Sequence, residues 1–226
     1  MATDIPRSSG ILLHPTSLPS PYGIGDLGSS AHDFVDALAA SGQTWWQMLP
    51  LNVPGHGGSP YSAESAFAGN PALIDLDALA EKGWLEASSL KSLADACAKH
   101  APSRINFSLA IPAKMALLDA AWETASKDKG VRAMIEAFET SEAAWLEDYV
   151  LFAALKEKHP NKSWRDWPRE LVARSASALE REREECADAI ARHTFYQWVF
   201  FSQWSELRDH ARAKGIRLIG DIPIFV

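Results

Sequence analysis

Apolar and polar positions near the start of the chain predict a strand, a helix and a second strand. The apolar run Ile11–Leu13 stands before a Pro-rich stretch, which is typical of a buried strand followed by a loop. Apolar residues then recur at positions 31, 34, 35 and 38, the spacing of one helix face, which Ser29 or Ser30 can cap and Gly42 can end. Thr44–Leu51 predicts the next strand. A strand–helix–strand unit of this kind is usually right-handed, with parallel strands.

The middle of the chain has the spacing of helices. After a long loop at 52–70 that is rich in Gly, Pro and Ser, helical patterns run from Pro71 to about Trp167, and Val131–Phe138 and Ala143–Lys158 are predicted as two separate helices among them. We interpret residues 71–175, approximately, as a helical insertion. A single long helix is predicted from about Ala176 to Lys214. Its charge run Glu180–Glu185 mixes both signs, which favours a solvated helix face over an interaction tail.

The last residues predict a third strand. Ile216–Ile219 and Ile222–Val226 are apolar and rich in β-branched residues, as in a parallel strand that is buried on both faces. Such a strand needs neighbours at its edge and a helix over its face, so we expect three strands of an unfinished α/β sheet. On this reasoning Val226 ends a fragment rather than a domain.

Charge and composition narrow the range of partners. The 226 residues carry 22 Lys and Arg against 29 Asp and Glu, a net charge of −7, which disfavours nucleic acid and anionic membranes as partners. We find no signal-peptide pattern and no membrane-spanning run in the sequence. Cys97 and Cys186 lack the spacing of a disulfide framework or a zinc site, and we expect a cytoplasmic protein. Nine Trp residues make sugars worth considering as ligands, because indole rings stack on sugar faces.

Five stretches of specific residues, spread over the whole chain in a fixed order, carry a family resemblance. They are GILLHPTSLPSPYGIGDLG at 10–28, WQMLPL at 46–51, SPYSAESAFAGNPALIDL at 59–76, WLEDYVLFAAL at 145–155 and IRLIGDIPIFV at 216–226. Together they resemble the amylomaltase family, the 4-α-glucanotransferases that are also called disproportionating enzymes. Residues 86–141 and 161–185 contribute only helix-like patterns to this resemblance.

The resemblance implies a (β/α)8 barrel with active-site residues at the C-terminal ends of its strands, of which this chain holds the first three strands and a helical insertion. It implies a transferase that cleaves an α-1,4-glucosidic bond, holds the donor glucan covalently and passes it to the 4-hydroxyl of an acceptor sugar. Its partners are thus a maltooligosaccharide donor and a sugar acceptor.

This retaining double displacement needs a carboxylate nucleophile and a carboxylic acid about 5 Å apart, and it needs no cofactor. In the family these two groups, and a third carboxylate that supports the transition state, lie downstream of the position of Val226. We therefore assign no catalytic residue and expect the 226-residue chain alone to be inactive.

Three residues are predicted to bind substrate. Ser59 and Tyr61 lie in a loop after an inferred strand and offer a hydroxyl and an aromatic face, and the resemblance implies that they line the donor subsites. The alternative makes Tyr61 a core anchor and Ser59 a turn residue. Asp221 stands within an apolar run, where a buried charge would be costly, so we expect it at the open mouth of the barrel. The resemblance implies that it orders polar groups and the sugar of the cleaved bond, the alternative being an Asx turn before Pro223.

Other candidates are weaker. We prefer a structural role for His14, whereas Gln47 can point either way from its strand. His56 stands where several members of the family carry an aromatic residue that helps bind long glucans at a second site, which argues against cycloamylose-type behaviour. Asp75 and Asp77 are expected to begin a helix. Four Trp residues are expected in the core rather than at a sugar site, namely Trp45, Trp46, Trp198 and Trp204.

Two other functions stay open beside the transferase. One is another enzyme of the α-amylase clan, such as a hydrolase or a sucrose phosphorylase. The other is a protein that binds α-glucan without turning it over. A nucleotide site is disfavoured although residues 23–28 satisfy GxGxxG, because that motif does not directly follow a strand and lacks the acidic residue expected after a second strand.

Overall fold

The chain forms three short strands and eight α-helices in the part that the structure, a computed structural model, describes: residues 7–99 and 104–226, with His56 described by its backbone alone. The strands are β1 (Gly10–Leu12), β2 (Trp45–Gln47) and β3 (Arg217–Ile219). The helices are α1 (Ser29–Ala40), α2 (Leu76–Glu81), α3 (Ala87–Cys97), α4 (Phe107–Ala125), α5 (Lys129–Lys158), α6 (Arg169–Val172), α7 (Ala176–Glu185) and α8 (Ala187–Ala213).

The three strands form one parallel sheet in the order β1, β2, β3, which confirms the predicted strand–helix–strand unit. Ile11, Trp46 and Leu218 lie side by side across it. Trp46 on the central strand is fully buried because it packs edge-to-face against Phe34 of α1, with ring centroids 5.0 Å apart. Its Nε1 donates a hydrogen bond to the carbonyl of Leu13 at 2.8 Å, so the indole also fixes the residue that follows β1.

The prediction of a third strand buried on both faces is wrong. β3 ends at Ile219, and beyond it Ile222, Ile224 and Phe225 are 77%, 70% and 70% exposed. Leu12 of β1 is also exposed, by 56%. The reason is that β2 covers one edge of each outer strand, whereas no described strand covers the other edge. Burial of a parallel strand depends on neighbours and covering helices rather than on the apolar sequence of the strand alone.

Two helix boundaries also differ from the prediction. The segments predicted at 131–138 and 143–158 are one continuous helix, α5. The single helix predicted from Ala176 to Lys214 is two helices, α7 and α8, with Cys186 as the C-cap of the first. The charge run on α7 is not wholly solvated, because Glu182 is buried and accepts a hydrogen bond from Lys158 at 2.6 Å.

The chain divides into two compact units. Unit 1 comprises the residues up to Thr124 together with Val199–Val226, and it contains the sheet. Unit 2 comprises Ala125–Trp198 and is helical throughout. Its core includes one cluster from α5, α6, α7 and the segment before α6, namely Leu151, Leu155, Trp167, Leu171 and Ala178. The sequence-based boundary of the insertion, about 71–175, stays a prediction.

Buried charges hold the loop that follows β1. Asp26 accepts a hydrogen bond from the Lys114 ammonium at 2.9 Å, and both side chains are buried. The other oxygen of Asp26 accepts from the backbone N–H of Gly28 at 3.1 Å. Asp75 is the N-cap of α2 and accepts from the N–H of Asp77, which confirms the prediction that these two residues begin a helix. The loop is thereby tied to α4 and placed beside the start of α2.

Candidate functional site

Two of the predicted binding residues meet at the carboxyl ends of β2 and β3. Tyr61 lies in the loop after β2, and Asp221 is the second residue after β3. The Tyr61 hydroxyl donates a hydrogen bond of 2.8 Å to Oδ2 of Asp221, across 160 positions of sequence. The backbone N–H of Ile222 donates to Oδ1 at 2.9 Å. Both carboxylate oxygens of Asp221 are therefore oriented, and the group stays open to solvent.

Backbone hydrogen bonds hold the two segments together around this pair. The carbonyl of Tyr61 accepts from the N–H groups of Ile224 and Phe225, each at 3.0 Å. Ala63 donates in turn to the carbonyl of Phe225 at 2.9 Å. These bonds fix the loop after β2 against the segment after β3. The geometry of the Tyr61–Asp221 pair thus rests on the main chain as well as on the side chains.

Ser59 acts locally. Its Oγ accepts a hydrogen bond from the backbone N–H of Tyr61 at 3.3 Å, an ST-turn contact that helps to set the path of the loop. This contact matches the alternative in which Ser59 is a turn residue. The hydroxyl proton remains able to donate to a ligand, because a serine hydroxyl donates and accepts at the same time.

The carboxylate of Asp221 also affects the protonation of the Tyr61 hydroxyl. The hydrogen bond to the carboxylate, together with some desolvation, raises the pKa of the Tyr61 hydroxyl above its ordinary value of 10.0. The phenol therefore stays protonated at neutral pH and acts as the donor in this pair. Such a donor orients the carboxylate without neutralising it.

A cavity of about 210 Å³ lies beside Asp221. Its walls come from the ends of β2 and β3, the loop at 52–69 and α8, and include Asn52, Phe67 and Trp204. Phe67 is 64% exposed. Trp204, which was predicted for the core, is half-buried and lines this cavity. Neither aromatic residue was predicted at the site, because a lone Phe in a loop and a Trp in a helical pattern carry no distinguishing signal.

The contacts of His14 agree with the structural role that was preferred for it. Its Nδ1 accepts from the N–H of Thr16 at 3.3 Å, and its Nε2 lies 3.3 Å from the carbonyl of Pro50. Burial lowers the pKa of the imidazole, so the neutral ring links the ends of the loops that follow β1 and β2. Gln47 lies in register with Leu12 and Ile219, which are 56% and 40% exposed.

Of the other Trp residues, Trp46 is buried as predicted, whereas Trp45 and Trp198 are half-buried. Arg217 lies over the Trp45 ring at 5.1 Å. The interpretation of His56 concerns a side chain outside the described residues.

Two carboxylates, those of Asp26 and Asp75, lie at the end of the GxGxxG motif. Its last glycine, Gly28, precedes α1, where a phosphate could in principle bind. Asp26 already accepts the N–H of Gly28, and a Cβ added to Gly28 would meet the Asp75 carboxyl carbon at 2.6 Å. Two acidic groups at this helix start oppose the binding of an anion. Among residues 7–99 and 104–226, no group of three or more His, Cys, Asp or Glu side chains is placed to hold a metal ion.

Comparison with known proteins settles the family. The sequence profile of a family described as 4-alpha-glucanotransferase matches residues 13–226. The chain belongs to the 4-alpha-glucanotransferase family. This confirms the resemblance drawn from the five sequence stretches.

Relatives of this family match nearly the whole chain. The 4-alpha-glucanotransferase of Thermus thermophilus is 44% identical over 227 residues, which are 99% of this chain and 43% of that protein. The 4-alpha-glucanotransferase of Streptococcus pneumoniae serotype 4 is 42% identical over 97% of this chain and 43% of its own length. An amylomaltase from Streptococcus agalactiae, solved in complex with acarbose, superposes with a TM-score of 0.91 at 34% identity, over 97% of this chain and 44% of that one. The chain thus spans less than half the length of the 4-alpha-glucanotransferases it matches.

Proposed function

We propose that the whole protein is a 4-α-glucanotransferase, which moves α-1,4-glucan segments between maltodextrins by retaining double displacement. Its catalytic domain is a (β/α)8 barrel, of which this chain supplies the first three strands. Family membership and the parallel order of β1, β2 and β3 support the proposal. The observation that carries it furthest is the Tyr61–Asp221 hydrogen bond, because it joins two loops at the carboxyl ends of strands, where barrel enzymes place their chemistry.

In this proposal Asp221 orients the sugar ring at the bond that is cleaved. An ionised carboxylate has about four acceptor positions, and Tyr61 and the N–H of Ile222 occupy two of them. The remaining positions accept hydrogen bonds from sugar hydroxyls. Tyr61 adds an exposed aromatic face, on which a pyranose ring can stack, and Ser59 adds a hydroxyl donor. The nucleophile and the acid/base are supplied by the remainder of the whole protein.

The partners are a maltooligosaccharide donor and a sugar acceptor, and no cofactor takes part. The complex of the Streptococcus agalactiae amylomaltase with acarbose supports sugar binding in this fold. The net charge of −7 supports the absence of nucleic acid as a partner. None of the helices described in residues 7–99 and 104–226 has the length and apolar character that crossing a bilayer requires. We propose a cytoplasmic location.

The test is the effect of Asp221→Asn in the whole protein on the release of glucose from maltotriose. We expect kcat/KM to fall about 100-fold, since loss of a charged hydrogen-bonding group that acts on the transition state costs roughly 3 kcal/mol. The melting temperature should change little, because the side chain is exposed and its hydrogen bonds within the described residues are to Tyr61 and to the N–H of Ile222. Tyr61→Phe should cost about tenfold, as one hydrogen bond to a charged group does. The double variant should cost less than the product of the two effects.

A matched control is Tyr22→Phe, which removes another Tyr–Asp hydrogen bond in unit 1, the one between Tyr22 and Asp77. It should lower stability and leave the transfer rate unchanged. An unaltered rate for Asp221→Asn would assign Asp221 a purely structural role and would remove the main support for this site.

A further inference from the structure

Unit 2 carries a second cavity, which lies entirely within its own helices. The cavity measures about 310 Å³, and most of its lining is apolar. The lining includes Phe152, Trp164, Trp167 and Leu171, together with the exposed side chains of Asp148 and Arg174. We call these six residues the Trp164 groove. Trp164 is 48% exposed, a large indole surface for a residue in a short turn between helices.

The two Trp rings of the groove are held in place before any ligand arrives. Trp167 belongs to the core of unit 2 and packs against Phe152, with ring centroids 5.6 Å apart. Trp164 begins a 3₁₀ turn that Ser163 caps through a hydrogen bond from the N–H of Arg165 at 3.4 Å. The Arg165 guanidinium lies 5.4 Å from the centre of the Trp164 ring. A preformed platform of this kind loses little conformational entropy on binding.

The two polar residues of the groove, Asp148 and Arg174, form an ion pair with no net charge. Arg174 donates a hydrogen bond of 2.8 Å to Asp148, and the two side chains are 64% and 61% exposed. Exposed ion pairs of this kind contribute little to stability. The remaining N–H groups of Arg174 and the remaining oxygen of Asp148 can donate to and accept from hydroxyl groups. An anion or a cation gains nothing overall from such a balanced pair.

One groove residue also has a donor without a partner among the described residues. Trp167 is 9% exposed, and the structure gives its buried Nε1 no hydrogen-bond acceptor there. A buried N–H that stays unpaired is costly. The occupant that suits the groove has apolar faces for indole rings, hydroxyls for Asp148 and Arg174, and acceptor oxygens. A sugar ring has all three. The cavity of about 310 Å³ lies at the low end of the range for ligand pockets, which is about 300–1,000 Å³. It is therefore small for a protein helix, which is about 10 Å wide.

We propose that the Trp164 groove binds a glucosyl unit of an α-glucan, at a place separate from the Tyr61–Asp221 pair. The choice of an α-glucan over other sugars rests on the proposed function. The groove then acts as a docking site that holds long substrates on the protein. Its stacking platform is Trp164, and Asp148 and Arg174 select hydroxylated ligands.

The test is affinity electrophoresis of the whole protein in native gels with and without dissolved amylopectin. We expect amylopectin to retard the wild-type protein and Trp164→Ala to weaken its apparent affinity about tenfold. Trp164→Phe, which keeps an aromatic face, should recover part of the loss. The matched control is Trp84→Ala in unit 1, where Lys82 lies over the indole at 5.8 Å much as Arg165 does over Trp164. Trp84→Ala should migrate like the wild type.

Further variants separate this inference from the proposed function. Suppose that the double variant with Tyr61→Phe and Asp221→Asn binds amylopectin normally while Trp164→Ala does not. The groove is then a glucan site, independently of whether Tyr61 and Asp221 take part in the reaction. If Trp164→Ala is retarded like the wild type, the groove is not a glucan site, even if the Tyr61 and Asp221 variants lose binding. Equal competition by maltoheptaose and cellohexaose would also overturn the proposal. So would a change of oligomeric state in Trp164→Ala, since the groove would then hold a second copy of the chain.

Discussion

The buried ion pair between Lys114 and Asp26 gives a sharp test of how the loop after β1 is held. The Lys114 side chain is fully buried, and its ammonium lies 2.9 Å from the carboxylate of Asp26. Lys114→Met removes the cation but leaves the carboxylate buried, with Asp75 as a further acidic neighbour. Removing one partner of a buried pair costs about 3–5 kcal/mol, because the remaining charge is neither paired nor hydrated. We expect the free energy of unfolding to fall by about 4 kcal/mol.

Urea unfolding of the chain, followed by far-UV circular dichroism, measures this loss. The matched control is Lys91→Met on α3, which breaks a Lys–Asp pair at 2.8 Å whose side chains are 75% and 64% exposed. That variant should lose less than about 1 kcal/mol. Replacing Asp26 by Asn together with Lys114→Met should recover more than half of the loss, because no uncompensated charge is left. Equal losses for Lys114→Met and Lys91→Met would refute the reasoning.

Two further predictions concern the same unit. Burial, with Asp26 and Asp77 nearby, raises the pKa of Asp75 from 3.8 to about 6, so the folded state loses stability as pH rises through this interval. Asp75→Asn, which keeps the cap, should therefore stabilise the chain by about 2 kcal/mol at pH 8 and by almost nothing at pH 4 in urea titrations. A Cβ added to Gly69 would lie 2.0 Å from the Phe200 ring, so Gly69→Ala should cost about 2 kcal/mol. At Gly220, where a Cβ meets nothing within 4 Å, the change to Ala should alter the free energy of unfolding by no more than about 0.5 kcal/mol. Equal losses of stability at both positions would contradict the packing argument.

The regular elements near the start of the chain follow from local sequence. The spacing of Ala31 and Val35 and the glycine at 42 define α1 well, and Gly42 indeed has a φ of 72° after the helix. The two helices predicted at 131–158 form one because residues 139–142, including Thr140 and Ser141, continue the helix. Their hydroxyls bond back to the carbonyls of Glu136 and Phe138, which keeps polar residues compatible with a helix. No local pattern distinguishes that outcome from a break.

The site was only partly accessible to sequence reasoning. Parallel topology places the residues that follow β2 and β3 at one edge of the sheet, so a meeting of Tyr61 and Asp221 is foreseeable in outline. The hydrogen bond itself depends on the register that aligns Trp45 with Arg217, and on the path of two irregular loops. Trp164 was missed because its surroundings have only a helix-like pattern, whereas its exposure depends on how α5, α6 and α7 pack.

The long separation between β2 and β3 has a consequence for biosynthesis. β1 and β2 pair across about 35 residues, but the Tyr61–Asp221 bond closes a loop of 160 residues that includes all of unit 2. The entropic cost of closing such a loop grows only as the logarithm of its length, so the delay is set by translation rather than by thermodynamics. At about 5–20 residues per second, the ribosome reaches Asp221 roughly 10–30 s after Tyr61. During that time the loop after β2 waits without its partner, and the Tyr61–Asp221 pair can form only after all of unit 2 has been synthesised.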